Sequence, residues 1–110
     1  MNIDKRVRIC LLFDFYGELL TDKQQYSIKR YYDDDASLAE IATELNISRQ
    51  AVRDSIVTSE NMLESFELKL GLVERYNNLK NGISEIIDEL ESSGYSDQTI
   101  DKIKQLYQYL

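Results

Sequence analysis

The chain has 110 residues, of which 43% are hydrophobic and 30% charged, with a formal net charge of −7 and a mean hydropathy of −0.43. This is the profile of one folded domain with a modest core, and it argues against a disordered or membrane-spanning chain. The absence of histidine removes Ser–His and Cys–His nucleophile pairs and imidazole metal ligands, and a single cysteine, Cys10, removes any intramolecular disulfide.

No glycine-rich phosphate loop is present, and carboxylate pairs on acidic helices read as solvated faces. No enzymatic activity, cofactor or metal is therefore expected. The N-terminal MNIDKRVRI is charged and lacks an apolar signal stretch, and no run approaches membrane-spanning length. Cys10 lies in ICLLF and reads as a buried, inert thiol. These features predict a cytoplasmic protein without membrane insertion.

With no proline and four glycines, long helices are expected throughout. Residues 3–20 form the first, with Ile3, Val7, Leu11 and Phe15 at i+4 spacing and further apolar surface from Cys10, Phe13, Tyr16, Leu19 and Leu20. So wide a stripe predicts extensive burial, part of it against another chain. Thr21 and Gln24 then have capping-box spacing, opening a second helix to about Tyr32. Its inward residues are Ile28, Tyr31 and Tyr26, and Lys23, Lys29 and Arg30 point outward.

Asp33-Asp34-Asp35 stops that helix, because three carboxylates sit badly at the negative end of a helix dipole. A calcium loop is rejected here: Leu38 stands where the sharp turn needs glycine. Ser37 and Glu40 form a second capping box, opening a helix over 38–45 with Leu38, Ile41, Ala42 and Leu45 inward. Asn46 suits the left-handed residue that closes it. Ser48 caps the next helix, with Ile47 and Val52 as a hydrophobic staple.

From Val52 and Ile56 the apolar positions run on through Leu63, Phe66, Leu70, Val73, Tyr76, Leu79, Ile83, Ile86 and Leu90, with one long step across polar Ser59. This stripe is expected to break at Gly71 or Gly82 and to pack on the N-terminal helices or on a second copy. After Ser92-Ser93-Gly94, Ser96 caps a last helix with Tyr95 and Ile100 as staple, and Ile100, Ile103, Tyr107 and Leu110 on its buried side. The expected organisation is one helical domain over 1–110, with a core at 21–60 and a C-terminal helical extension at 61–110.

Residues 38–56, LAEIATELNISRQAVRDSI, meet the requirements of a helix-turn-helix. Ala42 is small where the helices cross, Asn46 turns, and Ile41, Leu45, Ile47, Val52 and Ile56 fill the crossing. With the preceding LLTDKQQYSIKRYY, the stretch resembles region 4 of bacterial sigma factors. It is more closely similar to the YlxM (p13-like) family of small bacterial proteins, through FDFYGELLTDKQ at 13–24, SLAEIA at 37–42 and NISRQAVRDSI at 46–56.

The resemblance implies an all-α fold: a region 4-like helix-turn-helix with an N-terminal helix and a long C-terminal extension. It further implies a cytoplasmic, often dimeric protein acting as an accessory factor of the signal recognition particle, with the particle's GTPase subunit or RNA as partner. This chain departs from the family pattern after SRQAV. Arg53, Asp54 and Ser55 replace the usual Tyr-Asp-Asn, and Val57 and Thr58 replace a basic pair.

If the second helix of the pair enters a major groove, Ser48, Arg49, Gln50, Arg53 and Asp54 are its candidate readers. Lys23, Lys29 and Arg30, with the amide end of the 38–45 helix, are candidate phosphate contacts. The competing reading pairs Arg49 and Arg53 with Glu60 or Glu64. Residues 1–32 hold six Lys and Arg against four Asp and Glu, net +2, whereas residues 33–110 hold seven against sixteen, net −9. Phosphate neutralisation dominates nucleic-acid affinity, so this distribution disfavours a duplex-DNA transcription regulator and leaves the particle accessory and a pure interaction scaffold open.

Overall fold

The computed structural model describes residues 3–110 and is all-α, with no strand among the described residues. Six α-helices follow one another: α1 (Ile3–Tyr16), α2 (Asp22–Tyr32), α3 (Leu38–Leu45), α4 (Arg49–Leu70), α5 (Leu72–Ser92) and α6 (Asp97–Lys104). Short 3-10 turns extend α1 over Gly17–Leu19 and α6 over Gln105–Tyr109. The chain divides into two compact units, the first ending at Gly71 and the second spanning Leu72–Leu110.

In the first unit α4 is the hub, touching α1, α2 and α3. Its buried residues, Val52, Ile56, Ser59 and Leu63, recur at steps of four, three and four and so form one face. Ser59 keeps that face continuous, because its hydroxyl is fully buried and donates to the Ser55 carbonyl at 2.7 Å. What looked like a polar gap in the apolar pattern is a satisfied core position. Against this face pack Ile9, Leu12 and Tyr16 of α1, with Ile28 and Tyr32 of α2 and Ile41 and Ala42 of α3. The rings of Tyr16 and Tyr32 are buried, while their hydroxyls donate to Glu67 (2.6 Å) and Glu60 of α4. This is the usual compromise of an amphipathic aromatic side chain.

The face of α1 that packs inward differs from the expected one. Ile3 and Val7 are 76% and 61% exposed, Phe15 lies at the surface and Leu11 is half-buried. The buried set is Ile9, Leu12 and Tyr16, a different row of the same helix. Apolar residues occupy both sides of α1, so periodicity alone does not select one. The selection comes from Lys5 and Arg8, which lie on the side of Ile9 and Leu12 and reach α4: Lys5 pairs with Glu60 at 3.2 Å, and Arg8 pairs with Glu64 through bonds of 3.0 and 2.8 Å. The partners Lys5–Glu60, Arg8–Glu64 and Tyr16–Glu67 ascend both helices in the same order, so α1 and α4 run in the same sense where they touch.

Local signals in the sequence decide the helix ends. Thr21 and Ser37 form complete capping boxes with Gln24 and Glu40, and Ser48 and Ser96 cap α4 and α6. Asn46 adopts φ 56° and ψ 47°, the left-handed conformation expected of it. α4 ends at Gly71, whose φ is +64°, and Gly82 stays inside α5. In α2, Ile28 is buried and Tyr31 half-buried, but Tyr32 takes the core position expected of Tyr26, which is exposed. The Cys10 thiol is half-buried and donates to Asp33 at 3.4 Å. Burial first, and that carboxylate second, push its pKa up and hold it in the unreactive form.

In the second unit α5 packs on α6 and on the C-terminal 3-10 turn. Val73, Ile87 and Ile100 are buried. Tyr95 is 60% exposed, and Leu79 and Ile86 also face solvent. Ile103 and Tyr107 are half-buried and Leu110 is exposed.

Candidate nucleic-acid interface

The turn between α3 and α4 is built by Asn46. Its left-handed backbone lets the Ile47 amide reach the Ala42 carbonyl at 3.0 Å, closing α3 and reversing the chain. Ser48 then accepts from the Ala51 amide at 3.0 Å and starts α4. Val52 and Ile56 turn into the core, which leaves Arg49, Gln50, Arg53 and Asp54 exposed on the first two turns.

Within this set the side chains fall into two pairs at i, i+4 spacing. Gln50 donates its amide to Asp54 at 2.9 Å, so each is partly engaged by the other. Arg49 and Arg53 have no hydrogen-bond or ion-pair partner among the described residues. The expected alternative, a pairing with Glu60 or Glu64, does not form. Glu60 accepts from Lys5 and the Tyr32 hydroxyl, and Glu64 accepts both Arg8 bonds. Cations of α1 reach those acids first.

The candidate phosphate contacts on α2 divide. Lys23 and Lys29 are exposed and unpaired among the described residues. Arg30 is committed to Glu44 of α3, through bonds of 2.5 and 3.0 Å, and to Asp34 at 3.3 Å. Tyr26 adds its hydroxyl to Glu44 at 2.5 Å. The Arg30 hydrogen bonds, followed by that of Tyr26, hold the Glu44 pKa down at about 2. Arg30 is thus a tie between α2 and α3. The amide end of α3 is also occupied, since Glu40 folds its carboxylate back onto the Ser37 amide at 3.2 Å.

A cleft of about 410 Å³ opens beside Arg53. Tyr32 and Ile56 form its buried floor; Tyr31, Leu38 and Val57 line it above, with Lys5, Arg53 and Glu60 as its charged members. Sequence reading did not find it, because the four helices that build it meet only in the fold. A second, shallower groove borders Arg49 on the α3 side, lined by Ala39, Thr43 and Asn46.

No group of three or more His, Cys, Asp and Glu among the described residues could hold a metal ion, and no described helix is long and apolar enough to cross a membrane. Fold and site together define a helix-turn-helix protein. A family model described as "Putative helix-turn-helix protein, YlxM / p13 like" (UPF0122) matches residues 3–106, and the chain belongs to that family. It is 46% identical over 106 residues to a UPF0122 protein of Lactococcus lactis subsp. cremoris (strain MG1363), covering 96% of each chain. It is 43% identical over 104 residues to a UPF0122 protein of Listeria welshimeri, covering 94% of each. A UPF0122 protein of Lacticaseibacillus casei (strain BL23) is 55% identical over 76 residues, 69% of this chain and 67% of that one.

Proposed function

We propose that this chain is a non-enzymatic binding protein that contacts nucleic acid through the N-terminal face of α4, with Arg49 and Arg53 as its principal electrostatic contacts. One observation carries the reading. In a chain with 20 acids against 13 bases, these two arginines are exposed and unpartnered among the described residues. Lys5, Arg6, Arg8 and Arg30 find a carboxylate partner, whereas Lys23, Lys29, Arg49 and Arg53 do not among the described residues. Two arginines one turn apart that do not, on the face a helix-turn-helix offers outward, are available to phosphates and base edges. Membership of a helix-turn-helix family supports the same reading.

The finer assignment is an accessory role in the signal recognition particle pathway, in the cytoplasm, with the particle's RNA as ligand and its GTPase subunit as the protein neighbour. Its support is the resemblance set out above. The net charge of −7 also disfavours the extended phosphate contact that a regulator bound along duplex DNA needs. The test is retention of purified particle RNA and GTPase subunit on immobilised protein. Wild type should retain the RNA, and Arg49→Ala/Arg53→Ala should lose at least about ten-fold in affinity. Equal retention by both would rule out this face, and retention of neither component by wild type would rule out the particle. Enrichment of one duplex motif from a random pool would turn the reading to a transcription regulator.

The same proposal includes a homodimer. Its support is the outward row of α1 and its 3-10 extension, where Ile3, Val7 and Leu19 expose apolar surface while the other side of α1 is already packed.

A further inference from the structure

The cleft beside Arg53 has the wrong lining for a plain phosphate contact. Val57 is 47% exposed and Leu38 and Tyr31 are half-buried, so apolar surface stands open next to the end of the helix-turn-helix that meets its ligand. Its charged members are not equally available. The oxygens of Glu60 accept the Tyr32 hydroxyl and the Lys5 ammonium, which satisfies acid and lysine together. Arg53 is left over, so the cleft has one unneutralised positive charge in a chain that is negative overall.

This combination discriminates among phosphate-bearing ligands. A duplex offers phosphates at about one negative charge per 1.7 Å, and it keeps its base faces stacked and out of reach. It would meet the acidity of this chain many times over and leave the apolar walls unused. A free phosphate would use Arg53 but not Val57, Leu38 or Tyr31. An unstacked nucleotide uses both, because its base has two apolar faces and its backbone brings one charge. Aromatic and apolar side chains are the surfaces on which such bases stack.

We infer that the cleft holds one unstacked nucleotide of a single-stranded nucleic acid, the base lying against Tyr31 and Val57 and an adjacent phosphate paired with Arg53. The inference rests on the nucleic-acid reading of α4 and narrows it. It also explains how so acidic a chain binds a polyanion: affinity comes from desolvating and stacking a base, and few phosphates are neutralised. The salt dependence should accordingly be shallow, with a slope of log affinity on log salt of about −0.7 per phosphate contacted and only one to three such contacts.

The experiment uses the full chain and short single-stranded RNA and DNA of one mixed sequence, each with a 2-aminopurine, together with the matching duplex. Wild type should bind at least one single strand more tightly than the duplex and change the 2-aminopurine emission. Tyr31→Ala should weaken that binding by about ten- to a hundred-fold and abolish the emission change. Val57→Ser, at an exposed position where folding is not at stake, should weaken it in the same direction. Binding of RNA alone or of DNA alone would each uphold the cleft and name the source of its nucleotide.

Duplex binding at least as tight as single-strand binding, lowered by Arg49→Ala and untouched by Tyr31→Ala and Val57→Ser, would overturn the cleft while leaving the α4 reading intact. Absence of binding to any of these nucleic acids would overturn both.

Discussion

Arg30 of α2 and Glu44 of α3 are joined by two hydrogen bonds, of 2.5 and 3.0 Å, to the two oxygens of one carboxylate. This bidentate geometry locks the helix that precedes the helix-turn-helix onto its first member. It makes a pH-dependent contribution to stability. The Glu44 pKa is lowered from 4.5 to about 2 by Arg30 first and Tyr26 second. A depressed folded-state value means that the contribution is complete above about pH 4.5 and is lost as pH falls towards 2. Glu44→Gln should therefore melt below wild type at neutral pH, with the difference closing in that acid window. A melting difference that stays constant from neutral pH to pH 2 would sink the assignment.

Ser27 is fully buried in α2, and its hydroxyl has no hydrogen-bond partner among the described residues. An unsatisfied buried donor costs about 1–3 kcal/mol, and alanine is the better helix former. Ser27→Ala should raise stability by about 1 kcal/mol, read as a higher urea midpoint at unchanged slope. Ser59→Ala is the matched comparison: that hydroxyl is satisfied by Ser55, so the substitution should not stabilise. Equal gains at both positions would contradict the distinction.

The two rows of α1 predict opposite behaviour. Leu12 is fully buried, so Leu12→Ala should cost about 2–5 kcal/mol in chemical denaturation. Val7→Asp lies on the outward row and should leave the fold intact. By light scattering, wild type should have the mass of a dimer and Val7→Asp that of a monomer. A monomeric wild type at micromolar concentration would remove the homodimer.

At Asn46 the left-handed backbone, φ 56°, makes the side chain matter for torsional reasons. Alanine there should cost about 1–2 kcal/mol, whereas glycine should be near neutral. Comparable melting of Asn46→Ala and wild type would mean that the turn relaxes without cost.

The features legible in the sequence are the local ones. Thr21, Ser37, Ser48 and Ser96 mark helix starts because the groups they satisfy lie within three residues, and Asn46 and Gly71 mark ends through their own torsions. The exposed positions of Arg49 and Arg53 followed from the helical period. Their lack of partners did not, because Glu60 and Glu64 are claimed by Lys5 and Arg8, more than fifty positions earlier in the chain. The face of α1 was illegible for a related reason: Ile3 and Val7 are as apolar as Ile9 and Leu12, and only those cross-helix pairs separate them. The cleft needs α1, α2, α3 and α4 at once and has no signature in any single segment.

The ordered contacts of α1 with α4 have a mechanical consequence. Lys5, Arg8 and Tyr16 each meet an acid of α4, Glu60, Glu64 and Glu67, and a slip of one turn would misalign all three contacts. Each polar contact is worth only about 1 kcal/mol or less at the surface, yet acting in concert they give the pair a detent, a single position at which it comes to rest. Lys5 lines the cleft beside Arg53, so the same stop sets where α1 closes that cleft against α4.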